Sequence, residues 1–267
     1  MKRLIIIADW GADSLFCQEV RTAVEGYLKD RNGSVISFII STSSTIHTAF
    51  LVNQVVEHEE RYGKPLETVI FQNTDHRLHS KNAKPLIVRL RSGIYLTGPN
   101  AGFNFSLVKN KIDEAFEYKG ISTEGQFLSR DLYSRLSAHL MDYMEDELEL
   151  EEVSLNNIPP LLGHYIGHID NFGNIKTLIT HEELKGKYEY GDFITVRINK
   201  VTKKALYVSN LFGAEPGVIV IYPGNSGSVN NRYLEISAWT HFKDEKPATG
   251  AYFFNNPRPG MPVEIML

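Results

Sequence analysis

A short polar segment in the second half of the chain combines a carboxylate, amides and an aromatic ring. It runs from Asp170 to Asn174 with the sequence Asp-Asn-Phe-Gly-Asn, and apolar residues precede and follow it. Asp, Asn and Gly form turns because they tolerate left-handed backbone and hydrogen-bond to their own main chain. A solvated hairpin turn gains nothing from a large ring. The segment therefore fits either a small-molecule clamp built on Asp170, Phe172 and Asn174, or a hairpin anchored by a buried Phe172.

A second polar cluster follows the third predicted strand at residues 75–79, with the sequence Asp-His-Arg-Leu-His. Its carboxylate, imidazoles and guanidinium suit general acid–base chemistry. Asp75, His76 and His79 could also hold a metal ion, since carboxylates and imidazoles are common zinc ligands. The spacing matches no strong metal-binding signature, and a solvated polar loop is the simplest interpretation.

Further loops offer polar groups next to predicted strands and helices. Asp9 follows the first strand and is placed to accept hydrogen bonds from a ribose diol, because open α/β sheets bind ligands at the carboxyl ends of their strands. Asp13 or Ser14 is a candidate cap of the first predicted helix, and Ser129 is a candidate cap of a later one. No Gly-x-Ser-x-Gly motif surrounds Ser129, which disfavours a nucleophilic serine. The Gly-rich stretch 223–228 could hold a carboxylate through main-chain N–H groups, or be an ordinary turn.

Alternating strand and helix patterns fill residues 1–152. The predicted strands lie near residues 4–8, 35–40, 68–71, 86–90, 94–97 and 114–118. The predicted helices lie near residues 14–29, from 44 onward, and 130–144. This alternation predicts an α/β domain with a mostly parallel sheet covered by helices on both faces.

The pattern changes after the acidic run at residues 145–152, which is followed by Pro159 and Pro160. An acidic helix tail, polar residues and a proline pair are typical of a linker, and the run itself is expected to be a solvated face. Short strand patterns separated by Gly, Pro and Asn clusters then continue to the end of the chain. They predict a smaller all-β domain, a barrel or a sandwich, over residues 153–267.

Composition limits the class of protein. The 267 residues are 42% hydrophobic and 22% charged, which predicts a globular chain with a substantial core. A net charge of -4 disfavours a nucleic-acid partner. The single cysteine, Cys17, excludes an intrachain disulfide framework and fits a cytoplasmic location. The apolar run after Met1 is too short for a signal peptide, and no stretch is long enough for a membrane span.

Taken in order, these loops resemble one family, the S-adenosylmethionine hydroxide adenosyltransferases with their fluorinase and chlorinase relatives. The matching segments are Asp9-Trp10-Gly11-Ala12-Asp13, Asp75, Pro99-Asn100-Ala101-Gly102, Phe127-Leu128-Ser129-Arg130-Asp131, Asp170-Asn171-Phe172-Gly173-Asn174 and Leu234-Glu235-Ile236-Ser237-Ala238. Each match alone is weak. Their order over nearly the whole chain supports the resemblance, and so does the division into an α/β and an all-β domain.

The resemblance implies a homotrimer that holds S-adenosylmethionine between the N-terminal domain of one subunit and the C-terminal domain of the next. It implies the following ligand contacts: Asp9 to the ribose hydroxyls, Asp13 and Ser14 near the methionine, Phe172 packed on the ligand, Asp170 to its ammonium with Asn174 supporting that turn, and Ser226 to its carboxylate. Asn100 and Phe127 belong to matched loops and are further ligand-binding candidates.

The family's chemistry is an in-line displacement at the 5′ carbon of the adenosyl group, in which methionine leaves as a neutral thioether. The enzyme must align the nucleophile and remove its water shell, and the resemblance implies neither a cofactor nor a metal. Asp75 falls on the family's aspartate. The family's histidine position is Leu128, which can neither orient a water nor accept a proton. Ser129 matches the fluorinase serine that helps to hold the halide.

The sequence therefore predicts a protein that binds S-adenosylmethionine and hydrolyses it to adenosine and methionine. Asp75 would orient or activate water, with Ser129 as a helper. One alternative is a non-catalytic binder of S-adenosylmethionine or adenosine, favoured by Leu128. A halogenase is disfavoured because the carboxylate of Asp75 would repel a halide. A metal-dependent hydrolase using Asp75, His76 and His79 is a further alternative.

Overall fold

The chain folds into two compact units, Met1–Leu161 and Leu162–Leu267. The computed structural model describes residues 2–11, 14–75, 83–120, 127–240 and 249–266. The division lies later than the predicted boundary after residue 152. The reason is that the segment after this boundary is bonded to the first unit. Lys109 Nζ donates to the Ile158 carbonyl at 2.6 Å, and Ser106 Oγ donates to the Pro159 carbonyl at 2.7 Å.

The first unit is built on a seven-stranded sheet. Its strands are β1 Arg3–Ala8, β2 Val35–Ile40, β3 Thr68–Asn73, β4 Pro85–Leu90, β5 Tyr95–Pro99, β6 Ile112–Tyr118 and β7 Leu150–Glu152. Its α-helices are α1 Leu15–Tyr27, α2 Thr45–Tyr62 and α3 Ser134–Met141, and a π-helical turn, Ser129–Tyr133, leads into α3. The predicted alternation of strands and helices is present.

The sheet is mixed, so the prediction of a mostly parallel sheet is corrected. The strand order is β2-β1-β3-β5-β4-β6-β7. β1 pairs in parallel with β2 and β3, and β3 pairs in parallel with β5. β4 is antiparallel to β5 and β6, and β6 is antiparallel to β7. The tight turn around Gly93 joins β4 to β5, and such a turn can only produce antiparallel neighbours.

The acidic run contributes to this sheet. Its last residues form β7, with Leu150 opposite Tyr118 and Glu152 opposite Phe116. Lys119 Nζ lies 2.8 Å from Glu151 Oε2. Part of the predicted solvated face is thus an edge strand, and its negative charges protect the edge from pairing with another chain.

Apolar residues on both faces of the central strands hold the first unit together. Leu4 and Ile6 of β1 are fully buried, and they share one core with Val20 and Val24 of α1 and Leu136 of α3. This explains why β1 is continuously apolar rather than alternating, since helices cover the sheet.

The second unit contains another seven-stranded sheet, with the order β14-β10-β11-β12-β13-β9-β8. Its elements are β8 Ile166–Ile169, β9 Ile175–Thr180, β10 Phe193–Ile198, β11 Val201–Tyr207, β12 Val220–Gly227, β13 Arg232–Ser237, α4 Gly250–Phe253 and β14 Val263–Met266. A bridge between Tyr165 and Pro262 links the two ends of the sheet, which is therefore nearly a closed barrel. The predicted all-β domain is confirmed.

Within the described ranges, no helix is both long enough and apolar enough to cross a membrane. The cytoplasmic location and the absence of a nucleic-acid partner stay predictions.

Candidate functional site

A cavity of about 380 Å³ lies where β1, β3 and β5 of the first unit end. Its described lining residues are Asp9, Trp10, Phe16, Asn73, Asp75, Ala83, Pro99, Phe127, Leu128, Ser129 and Tyr133. Small-molecule sites have volumes of about 300–1,000 Å³. The predicted residues Asp9, Asp75, Phe127 and Ser129 all contribute to this cavity, and so does Leu128.

Strand register explains why distant residues meet here. β1 and β3 are adjacent and parallel, and Ala8 lies opposite Asn73. Asp9 and Asp75 therefore leave the sheet at the same edge, although many residues separate them in the chain. The carboxyl edge of an α/β sheet is the usual position of a ligand site.

Aromatic rings form one wall of the cavity. The Phe127 ring lies 5.8 Å from the Trp10 ring and 5.1 Å from the Phe16 ring, measured between centroids. Trp10 also meets Phe71 of β3 edge to face at 6.5 Å. Such a wall offers apolar area and ring faces to a flat heterocycle.

The described residues that line the cavity include two acidic side chains. Asp9 and Asp75 both line it, and no Lys, Arg or His side chain belongs to its described lining. Asp75 Oδ2 accepts a hydrogen bond from the Ala83 main-chain N–H at 3.1 Å, which orients the carboxylate. The two carboxylates bring negative charge to the described lining, which favours a positively charged ligand.

Tyr133 is a cavity residue that the sequence pattern did not single out. Its side chain is buried, and its ring stacks on Phe71 with centroids 5.2 Å apart. The π-helical turn, closed by the Ser134 N–H to the Ser129 carbonyl, inserts an extra residue into the helix start. The predicted α-helical spacing could not show this change of register, and π-turns are frequent at functional sites.

The Tyr133 hydroxyl is buried and has no hydrogen-bond partner among the described residues. Burial raises the pKa of Tyr133 above its ordinary value, and the negative charge of Asp75 adds to this rise. The ordinary pKa of a tyrosine already lies well above physiological pH, so this hydroxyl is neutral there.

Two predicted ligand residues of the first unit lie elsewhere. Ser14 Oγ caps α1 by accepting from the Cys17 N–H at 3.4 Å. Asn100 donates to the Asn157 carbonyl at 3.0 Å and lines a separate cavity of about 310 Å³. Neither is among the residues lining the first cavity. Their predicted ligand roles stay predictions.

Three residues of the predictions lie outside the described residues: Asp13, His76 and His79. In the part of the chain that the structure describes, no group of three or more His, Cys, Asp or Glu side chains is arranged to hold a metal. The proposed ligand set of Asp75, His76 and His79 is thus untested.

In the second unit, the Asp170 turn is organised by its own carboxylate. Asp170 Oδ1 accepts from the main-chain N–H groups of Phe172 and Asn174, both at 3.0 Å. Its Oδ2 accepts from Asn174 Nδ2 at 2.9 Å. The carboxylate therefore shapes the turn. The predicted bond to a ligand ammonium stays a prediction.

The aromatic ring of this turn faces outward. Phe172 is 68% exposed, which contradicts the alternative of a hairpin anchored by a buried ring. Gly173 has a φ of +75°, and an added Cβ would lie 2.5 Å from Thr249 Oγ1. The position therefore requires glycine. The turn holds Phe172 outside the core. Its exposed ring is available to pack on another molecule.

A buried ion pair between Lys176 and Glu235 lies next to the Asp170 turn. Lys176 Nζ lies 2.7 Å from Glu235 Oε1 and 4.0 Å from Asp170 Oδ2. Glu235 also accepts from Tyr222 Oη at 3.1 Å and from the Asn225 N–H at 3.0 Å. These contacts join the Asp170 turn to the matched segment on β13.

The Gly-rich stretch is part of a strand rather than a turn. Residues 223–227 lie in β12, with a register shift opposite β13. The Asn225 N–H is used by Glu235, so it is not available to a ligand carboxylate. Ser226 is buried, and its hydroxyl has no partner among the described residues. Its predicted contact with a ligand carboxylate stays a prediction.

Comparison with known proteins supports the sequence interpretation. No family model matches the chain. The chain is 33% identical, over 170 residues, to a protein named (R)-S-adenosyl-L-methionine hydrolase from Methanocaldococcus jannaschii. The predicted resemblance is confirmed. The match covers 58% of this chain and 58% of that relative, so the chain spans little more than half of its length.

Solved structures share the fold. An uncharacterized conserved protein from Thermotoga maritima is similar with a TM-score of 0.76 and 17% identity, over 98% of this chain and 100% of the other. A conserved hypothetical protein from Thermus thermophilus is similar with a TM-score of 0.69 and 16% identity, over 100% of both chains. At these identities the similarity concerns the fold alone.

Proposed function

We propose that this protein is an enzyme that hydrolyses S-adenosylmethionine to adenosine and methionine. The observation that carries the proposal is the convergence of Asp9, Asp75, Phe127 and Ser129 on one cavity of the first unit. These residues come from loops that are far apart in the chain. The similarity to a protein named as a hydrolase of this substrate adds support.

The character of the cavity suits this substrate. S-adenosylmethionine carries a positive sulfonium next to an adenosine, and Asp9 and Asp75 place two carboxylates in the described lining. Asp9, at the end of β1, would accept hydrogen bonds from the ribose hydroxyls. The wall of Trp10, Phe16 and Phe127 offers ring faces for the adenine.

The reaction needs alignment more than acid catalysis. A water oxygen forms a bond to the 5′ carbon, and the electrons of the carbon–sulfur bond return to sulfur, which leaves as a neutral thioether. The water loses its proton, and Asp75 is the carboxylate of the cavity that would accept it. Holding the water in line with the carbon–sulfur bond supplies much of the rate. Ser129 would help to position the water.

The test uses the purified full chain, S-adenosylmethionine and water enriched in oxygen-18. We expect adenosine and methionine in equal amounts, with the heavy oxygen in the 5′ hydroxyl of adenosine. Asp75→Asn should lower kcat by about 10²–10⁴-fold, the usual contribution of a positioned base. The relative's name specifies the (R) form, so both sulfonium diastereomers should be assayed.

A matched carboxylate variant controls for charge. Asp113 lies on β6, pairs with Arg89 at 3.3 Å and does not line the cavity. Asp113→Asn should keep the wild-type rate. Absence of both products from the wild-type protein would refute the hydrolase proposal.

A second candidate function is a non-catalytic binder of S-adenosylmethionine or adenosine. The observation that favours it is Leu128, which lines the cavity at the position of the family's histidine and offers no polar atom. Calorimetry distinguishes the two proposals: tight binding with no heat of turnover and no product supports the binder.

We also propose the homotrimer that the resemblance implies, with ligand contacts from two subunits. The support is the Phe172 ring, because the residue is 68% exposed in its own unit. Light scattering with size-exclusion chromatography should give three times the mass of one chain, 30.3 kDa. A monomer at micromolar concentration would contradict it.

A further inference from the structure

The residue before Asp75 is held at two points. Thr74 directly follows β3 and is fully buried. Its hydroxyl lies 2.7 Å from the Thr48 hydroxyl of α2, and its carbonyl accepts a hydrogen bond from Asn104 Nδ2 at 2.8 Å. Thr48 and Asn104 are not among the described residues that line the cavity. Two groups outside the cavity therefore fix the peptide that leads into Asp75.

Three buried hydroxyls form a chain that runs in one direction. Ser41 Oγ donates to the Thr42 carbonyl at 2.9 Å, so its oxygen accepts from Thr48 Oγ1 at 2.8 Å. A hydroxyl has one hydrogen, so Thr48 Oγ1 in turn accepts from Thr74 Oγ1. The Thr74 hydroxyl thus donates into a chain that ends on the main chain just before α2, and this chain ties the end of β3 to that helix.

The Asn104 amide joins the ends of two strands. Regular pairing of β3 with β5 stops before either strand ends. Beyond that point, Asn104 Nδ2 donates to the Thr74 carbonyl and also to the Pro99 carbonyl, at 3.2 Å. Pro99 lines the cavity, as Asp75 does. A side-chain amide therefore links the two strand ends where main-chain pairing has stopped.

We infer that Thr74 is a positioning residue, which through Thr48 and Asn104 fixes the direction in which Asp75 leaves β3. This inference rests on the proposed hydrolysis, in which Asp75 accepts the proton of the attacking water. The Ala83 N–H orients the carboxylate itself at 3.1 Å, so the main chain and the side chain of Asp75 are held separately. Such placement matters because an error of about 1 Å can lower a rate about 10²-fold.

The first experiment replaces Thr74 in the full chain by valine, which has nearly the same shape and no hydroxyl. We expect kcat for S-adenosylmethionine hydrolysis to fall about tenfold, since the end of β3 loses its tie to α2. KM should stay within about twofold, because a proton acceptor acts in the chemical step. Thr74→Ser keeps the hydroxyl and should restore kcat. Thr48→Val breaks the same hydrogen bond from the side of α2 and should reproduce the loss.

The matched control is Thr68→Val at the other end of β3. Thr68 is also a buried threonine, and its hydroxyl donates to Glu59 Oε2 at 3.0 Å and to the Lys64 carbonyl at 2.9 Å. It begins the strand, whereas the cavity lies where the strand ends. We expect Thr68→Val to lower Tm at least as much as Thr74→Val and to keep the wild-type kcat.

Hydrogen exchange of the Ala83 N–H provides a readout that does not need activity. This group donates to the Asp75 carboxylate, so it should exchange faster once the carboxylate is displaced. Mass spectrometry of fragments that contain Ala83 should show about fivefold faster exchange in Thr74→Val and the wild-type rate in Thr68→Val. A role in general stability alone would raise the rate equally in both variants and would overturn the inference.

The outcomes separate this inference from the hydrolase proposal. If the wild type is active, full kcat in Thr74→Val overturns the positioning role and leaves the hydrolase proposal intact, and so does a failure of Thr74→Ser to restore kcat. An inactive wild type overturns the hydrolase proposal. Exchange then decides whether Thr74 positions the carboxylate: an unchanged Ala83 rate in Thr74→Val overturns this role, and a faster rate confined to that variant supports it.

Discussion

Breaking the buried ion pair beneath the Asp170 turn should destabilise the second unit strongly. The Glu235 side chain is 4% exposed and that of Lys176 is 13% exposed. Tyr222 donates to Glu235 Oε2 and the Asn225 N–H donates to Oε1. Glu235→Gln keeps an oxygen for one of these donors and leaves the Lys176 ammonium without its main counter-ion. Lys176→Met leaves the Glu235 carboxylate uncompensated.

The magnitude follows from the desolvation of the remaining charge. Removing one partner of a buried pair costs about 3–5 kcal/mol of unfolding free energy, because an unpaired charge stays in a medium of low polarity. The lower end is expected for Glu235→Gln, since Lys176 Nζ also lies 2.9 Å from Asn225 Oδ1. In the double variant Lys176→Met/Glu235→Gln both charges of the buried pair are removed together, so its loss should be only about 1–2 kcal/mol.

Urea unfolding of the wild type, both single variants and the double variant gives a double-mutant cycle. The single variants should each be less stable than the double variant. The affinity for S-adenosylmethionine should fall in the single variants as well, since Lys176 lies 4.0 Å from Asp170 in the turn.

Additive losses would refute this reasoning. If the double variant loses the sum of the two single losses, the two charges do not interact in solution, and the pair does not support the turn. Single losses below about 1 kcal/mol would place the pair in the class of exposed salt bridges.

The remaining predictions concern the same unit. Phe172→Ala should weaken S-adenosylmethionine binding about tenfold, through loss of a ring contact, and change stability by less than about 0.5 kcal/mol because the ring is exposed. Gly173→Ala should cost about 1–3 kcal/mol, since φ is +75° and the new Cβ meets Thr249. Burial, and then the charge of Lys176, lower the pKa of His168, although Asp170 and Glu235 act in the opposite direction. The folded state thus binds fewer protons there than the unfolded state, and Tm should fall as pH drops below about 6.5.

Each of these has a control. Phe212 is 70% exposed, and Phe212→Ala should keep wild-type affinity in calorimetry. Gly186 has a φ of +74° with nothing within 4 Å of an added Cβ, so Gly186→Ala should lose less stability than Gly173→Ala in urea unfolding. His168→Gln should reduce the fall of Tm between pH 7 and pH 5.5, and an unchanged fall would assign it to other groups.

Most elements could be predicted because they depend on neighbouring residues. The apolar run of β1 and the Ser14 cap of α1 are short-range features, and both are present. The mixed character of the first sheet could not be predicted in this way. β5 pairs with both β3 and β4, and this order depends on contacts between distant segments.

The candidate site also has features that the sequence could predict and features that it could not. The residue types at Asp9, Asp75 and Phe127 indicated a ligand site, and the structure brings them to one cavity. The sequence pattern did not single out Tyr133. A π-turn shifts the helical register by one residue, and α-helical periodicity cannot show this shift. The Asp170 carboxylate pointed to a ligand charge, but it also satisfies three donors of its own turn.

The sequence by itself determined the local chemistry of this protein: which loops carry carboxylates and rings, where strands and helices begin, and which family they resemble. Only the tertiary structure decided which of these groups share a space. It placed Tyr133 and Asp75 in the lining of one cavity and held Phe172 outside the core. The physical reason is the separation along the chain of the residues that interact. Turn and cap preferences act over a few residues, whereas strand order and burial arise from contacts between residues far apart in the chain.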